Sequence, residues 1–187
     1  TPGVAFLEDL SAQTVQRIKQ SVLTYKTDAN DIAIASIHWD DNWSFAIAPH
    51  EIEFAHRLID DAGVDILHAH SSHHPKALEI YNGHLIIYGC GDFINDYEGI
   101  RGYEAYRPDL SLMYFPTIDP SSGKLVELKM TATQMKRFRV TYASPKDTQW
   151  LIDLMNREGE KFATRFGLSD RGQKRDSESQ SIKLLLI

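Results

Sequence analysis

The chain has 187 residues, 42% of them hydrophobic and 25% charged, enough for a single domain with a core of its own. A net charge of −6 argues against a general nucleic-acid binder, which carries a basic face; the single cysteine, Cys90, excludes an intrachain disulfide framework and a cysteine-rich zinc site. No apolar run approaches the length needed to cross a bilayer, and the first residues do not have the pattern of a signal peptide.

Residues 1–10 read as the end of a loop. Ser11 is a helix cap, and Val15, Ile18, Val22 and Tyr25 recur at helical spacing, so a first helix is predicted to end near Lys26. After the turn Asp28-Ala29-Asn30-Asp31, residues 32–38 form a strand apolar on both faces, the pattern of a sheet covered by helices on either side. That strand ends in His38, with Trp39, Asp40, Asp41, Asn42 and Trp43 in the adjoining loop. Pro49 opens a second helix with Ile52, Ala55, Ile59 and Ala62 along one side and Gly63 as its C-cap. Val64 to Leu67 is a buried strand that ends in His68-Ala69-His70, whose two imidazoles point the same way while the chain stays extended. Strand, helix and strand make a right-handed crossover, so the two strands run parallel and bring His38 to the edge where His68 and His70 lie. Ser71 and Ser72 turn the chain into His73-His74-Pro75. Four of the eight histidines thus fall within seven residues, just past the carboxyl end of a strand, where open α/β sheets bind ligands.

Residues 77–81 and 85–88 read as a hairpin closed by Asn82-Gly83. In Gly89-Cys90-Gly91-Asp92-Phe93 the glycines permit close backbone approach or positive φ, and Asp92 and Asn95 offer oxygen ligands or hydrogen-bond partners. Residues 96–108 are loop-like. Strands are predicted at 110–117, 124–133 and 137–142, with a turn at 119–123. Ser144-Pro145, with Asp147 behind the cap, starts a last helix that turns Leu151, Leu154, Met155 and Phe162 inward. Residues 167–181 are polar and 182–187 read as an edge strand or a tail, so 167–187 is expected as a mobile tail on one domain spanning 1–187.

His38, His68, His70, His73 and His74 form a candidate metal site, with Asp41, Asn42 and Asp92 as oxygen partners. Imidazole mixed with carboxylate and amide oxygen suits zinc, manganese or iron better than calcium. Five histidines are too many for one ligand shell, so some act behind the ligands or meet the charge of a substrate. His50, His56 and His84 read as solvated surface. Trp39 and Trp43 read as pocket wall or core, and Cys90 as a buried, inert thiol. The run Tyr97, Glu98, Arg101, Tyr103, Glu104, Tyr106, Arg107 is either a solvated loop or a lid, with Arg101 or Arg107 holding an anionic substrate.

Five segments in register, Ser36–Trp39, Ala55–Asp65, His70–Pro75, Glu79–Gly83 and Tyr88–Phe93, resemble the capsule-synthesis protein CapA family, the poly-γ-glutamate synthesis proteins, which look like a branch of the calcineurin-like metallophosphoesterases. The resemblance implies an α/β fold, part of a four-layer α/β/β/α sandwich with mixed sheets and a two-metal site at the strand ends. His38 matches the histidine of the family's His-Trp strand, and His70 and His73 match the two of its GHxPH loop. Asp92 stands where the family usually has Asn, and Asp40 and Ala69 where it has Gly. The expected ligands of divalent manganese, iron or zinc are therefore His38, His70 and His73, with His68 beside them. His73 and His74 are the candidate proton donors, and Asn42, Asp92 and Arg101 the candidate substrate contacts. The chemistry implied is metal-assisted hydrolysis or transfer at a phosphate ester or related anionic group, with two ions in the full-length protein.

The family's earlier Gly-Asp and Asn-x-Glu motifs find no counterpart. The chain is thus expected to be a C-terminal portion, inactive alone, of a protein that is cytoplasmic or membrane-anchored and facing outward. Its expected partners are an anionic small molecule or polymer and other capsule-synthesis proteins, not nucleic acid. The alternative is a non-catalytic binding or assembly subunit.

Overall fold

The computed structural model describes residues 3–95, 100–169 and 181–185. Within them Ser11 caps helix α1 (Ala12–Tyr25), its Oγ accepting the Thr14 N–H at 3.3 Å. Strand β1 (Ile34–His38), helix α2 (Pro49–Asp60) and strand β2 (Ile66–His70) form the expected parallel crossover. The cap residue of α2 is Asp61 rather than Gly63. Gly63, at φ +74°, instead turns the chain so that the Val64 N–H reaches back to the Leu58 carbonyl. Strands β3 (Leu78–Tyr81) and β4 (His84–Ile87) are the predicted hairpin, with Asn82 and Gly83 both at positive φ as a type I′ turn requires. The first sheet runs β1-β2-β4-β3, with β3 alone antiparallel.

The second sheet holds β5 (Leu110–Asp119), β6 (Lys124–Lys136), β7 (Arg139–Tyr142), β8 (Phe166–Leu168) and β9 (Ser181–Leu184). Its order is β5-β6-β9-β8, with β7 folded back on the end of β6, and every described pairing is antiparallel. Helix α3 (Pro145–Gly159) begins at the predicted cap, where Ser144 Oγ accepts the Asp147 N–H. It packs against β3, β6 and β8.

Two apolar cores follow from strand alternation. Leu67, Ala69, Ile37, Trp39 and Ile86 face α1 and α2, where they meet Val15, Phe54 and Leu58. On the opposite face Ile66, Leu78, Leu85 and Ile87 meet Leu112, Leu128 and Met130 of the second sheet, and α3 adds Leu151, Ile152 and Met155. The molecule is therefore α/β, with two stacked sheets and helices, consistent with part of a metallophosphoesterase-like sandwich.

Two expectations change. Among the described residues the first strand is not covered by helices on both faces: one face meets α1 and α2, the other looks toward the second sheet, and β1 ends the strand order, with Ile34 61% exposed. The stretch expected as a mobile tail supplies β8 and β9, and β9 lies inside the sheet between β6 and β8, with Ile182 fully buried. Residues 170–180, 186 and 187 of that stretch lie outside the described residues.

Candidate functional site

The parallel register sets Ser36 beside His68 and His38 beside His70. Since paired residues share a face, three imidazoles line up at the carboxyl ends of β1 and β2. The His38 and His70 ring centroids are 5.1 Å apart, edge to face, and those of His68 and His70 5.8 Å apart. Ser36 Oγ lies 3.0 Å from His68 Nδ1. Burial lowers the pKa of His68, and that of His70 is lowered by burial and then by the cost of placing a positive charge next to the His38 and His68 rings. Both are thus held in the neutral, ligating form. Neither the His38 nor the His70 ring makes a hydrogen bond among the described residues.

Beyond the histidines both strands turn sharply. Asp40 sits at φ +65° and Ser71 at φ +125°, strained values for residues other than glycine. The two turns are tied together: Ser71 Oγ lies 3.2 Å from the Asp40 carbonyl and from Asn42 Oδ1, and the His73 N–H donates to the Asn42 carbonyl. Asp40 also closes an ion pair with Lys76, whose side chain is 1% exposed. Gly89 lies flat against that lysine; a Cβ there would stand 2.8 Å from Lys76 Cγ and 2.4 Å from Ser72 Oγ. This close approach explains the glycine.

His73 Nδ1 lies 2.9 Å from Asp92 Oδ2, which also accepts from Asn95 Nδ2. Trp43 covers His73 at 5.1 Å between centroids and stacks at 4.1 Å on Tyr103, and the Tyr106 hydroxyl donates to the Trp43 carbonyl. The loop after residue 100 therefore does reach over the site through its tyrosines. His74 is 0% exposed, enclosed by Trp43, Phe45 and Tyr106, with Nδ1 3.2 Å from the Pro75 carbonyl and Nε2 without a partner among the described residues. Burial above all pushes its pKa down to about 4.

The strand alternation thus brings together His38, His68 and His70, and the loop sets His73 with Asp92. His74, expected as a proton donor, is packed in an aromatic cage, and the strand-like bridge of Pro75 to Cys90 follows directly behind it. Asp41 and Asn42 are exposed, as is Arg101. Arg107 is not a free anion clamp: it hydrogen-bonds Asp109 and Asp147. Tyr97 and Glu98 lie outside the described residues. Among the three histidines expected as solvated surface, only His50 is exposed. His56 bonds Glu79 at 3.0 Å and stacks on Tyr81, and His84 Nδ1 lies 3.1 Å from the Asp65 carbonyl. Cys90 has its pKa raised to about 11 by burial, in keeping with an inert thiol. Trp39 is core, its indole N–H donating to the Tyr88 carbonyl. Lys76 has no clear signal in the sequence, because it follows His73-His74-Pro75 and only Ala77 separates it from β3.

Among the described residues no group of three or more His, Cys, Asp or Glu side chains is arranged to hold a metal ion. The donors fit a metal only as half a shell. His38 and His70 offer two imidazoles, zinc needs four ligands, and the Asp40 and Asp92 carboxylates are engaged by Lys76 and His73.

The sequence profile of the family described as "Bacterial capsule synthesis protein PGA_cap" matches residues 2–97. The chain is 46% identical over 165 residues to a "Probable polyglutamine synthesis accessory protein" of Mycobacterium tuberculosis, found alike in strains CDC 1551 and H37Rv, a match that spans 88% of this chain and 43% of that protein. It is 33% identical over 84 residues to the "PGA biosynthesis protein CapA" of Bacillus subtilis strain 168, covering 45% of this chain and 21% of that one. The chain thus spans less than half the length of these curated relatives.

Proposed function

Because the chain belongs to the PGA_cap family of bacterial capsule synthesis proteins, we propose that it acts in the synthesis of a polyglutamate capsule polymer and carries the imidazole half of a divalent-metal site. The observation that supports this reading is the His38–His70 pair, two neighbouring rings with uncommitted nitrogens at a sheet edge. His68 stands beside them, and oxygen ligands would come from outside the described residues. A divalent ion bound there would supply Lewis acidity toward a phosphate ester or related anionic group. In this chain His73, hydrogen-bonded through Nδ1 to Asp92, would hold or pass the proton, and Trp43, stacked on Tyr103, covers one side of that imidazole. The name of the M. tuberculosis relatives, accessory proteins, favours a second reading, a binding or assembly subunit without turnover.

Metal analysis of the longest natural form of the protein separates the two. Replacing His38 or His70 with Ala should cut bound manganese, iron or zinc to about a tenth or less, since a lost ligand costs at least the 10–100-fold of a lost supporting group. Phosphodiester hydrolysis should fall with it, while the exposed His50→Ala leaves both unchanged. Metal content unaffected by either substitution would reject the metal site.

A further inference from the structure

The hairpin tip joining β6 to β7 holds three cations in four residues, Lys136-Arg137-Phe138-Arg139, on a chain whose net charge is −6. Three features of this tip work against the fold. Arg137 and Phe138 both lie at positive φ, +52° and +57°, a type I′ turn in which glycine or asparagine is the least strained residue. Lys136 and Arg139 stand directly opposite each other across the strand pair, where like charges repel. None of the three cations has an acidic partner among the described residues, and Phe138 is 69% exposed. Lys136, Arg137, Arg139 and Thr141 line a shallow cleft of about 490 Å³.

The tip also sits at the same end of the molecule as the histidines. β6 starts beside the β3–β4 turn, where the Leu125 N–H bonds the Gly83 carbonyl, at the end of the first sheet away from the histidines. It then runs the other way, and its last residues are bonded to Asp109 through Met135 N–H and Gln134 Nε2. Asp109 holds Arg107, which follows the Tyr106 that bonds Trp43 over His73.

We propose that this hairpin tip is a docking site for a linear polycarboxylate, a polyglutamate chain, which it guides toward the histidine edge. The proposal rests on the polymer reading above and adds where the polymer is held. Arginine forks match carboxylates two oxygens at a time, and a polymer with a carboxylate on every unit meets several cations at once. Ligand carboxylates would also screen the Lys136–Arg139 repulsion.

The test is fluorescence anisotropy with labelled poly-γ-glutamate at low and moderate salt. The unsubstituted chain should bind it, more weakly as salt rises. The triple variant Lys136→Gln/Arg137→Gly/Arg139→Gln should bind about tenfold more weakly or worse, since each exposed ion pair is worth up to about fivefold. Its melting temperature should not fall, because glycine relieves the turn at position 137 and the repulsion is gone. Removing two cations from α1, Arg17→Gln/Lys19→Gln, should leave binding unchanged. Equal binding by the triple variant, no binding by the unsubstituted chain, or equal affinity for neutral polyglutamine or for polyphosphate would each overturn the proposal. The metal content that tests His38 and His70 does not depend on the tip, so the two ideas fail separately.

Discussion

At the scale of single residues, His74 carries the clearest pH signature. Its folded pKa of about 4 lies below the ordinary 6.5, so the unfolded chain takes up a proton that the folded chain refuses. The stability this contributes is complete above about pH 6.5 and is lost as the pH falls toward 4, to a total of about 3 kcal/mol. Urea unfolding at pH 7.5 and pH 4.5 should show that loss, and His74→Phe, which suits the cage of Trp43, Phe45 and Tyr106, should reduce it by a similar amount. An equally steep loss in the variant would show that the imidazole is hydrated. The Asp40–Lys76 pair is asymmetric in the same way. The Asp40 side chain is 18% exposed and Lys76 only 1%, so the lysine depends on its partner more than the aspartate does. Asp40→Asn, which tolerates the positive φ, strands a buried ammonium and should cost about 3–5 kcal/mol. Lys76→Met leaves a carboxylate that water can reach and should cost clearly less in the same denaturation experiment.

At the scale of elements, helix α3 shows how a local motif becomes a tertiary one. Ser144 caps it, and Asp147, whose N–H the cap binds, also accepts from Arg107 at 2.9 Å. Ser144→Ala should therefore cost at least the usual ~1 kcal/mol of a lost cap, read by thermal unfolding. The β3–β4 turn was legible because Asn-Gly is what a type I′ turn demands. The β6–β7 turn was not, because Arg137-Phe138 meets the same backbone requirement with residues that do not signal it. β9 was misjudged for another reason. Its apolar alternation is short, and only its pairing on both sides, to β6 and β8, reveals an interior strand.

At the scale of the whole molecule, β1 and β5 are the ends of their strand orders. A cleft of about 440 Å³ opens between the two sheets, lined by Ile34, Ile66, Leu85, Ile87, Leu112 and Tyr114 among others. Apolar surface of this kind takes up apolar ligands. The chain as it stands should enhance the fluorescence of an anilinonaphthalene dye, and Ile34→Lys at the mouth should reduce that signal by half or more. A dye that ignores the unsubstituted chain would mean the cleft is closed in solution.

Periodicity, caps and turn residues determined most of the elements from the sequence alone, and with them the parallel crossover that sets His38 beside His70. These are local properties: apolar spacing of 3.6 or 2 decides which face of each element turns inward. Only the tertiary structure decided that His74 is caged while His73 meets Asp92, that Lys76 is buried on Asp40, that β1 ends the strand order of the described residues, and that a basic hairpin tip lies at the histidine end. Each of those depends on which distant segments become neighbours, and sheet order and loop packing are set by the burial of the whole chain, not by any one stretch of it.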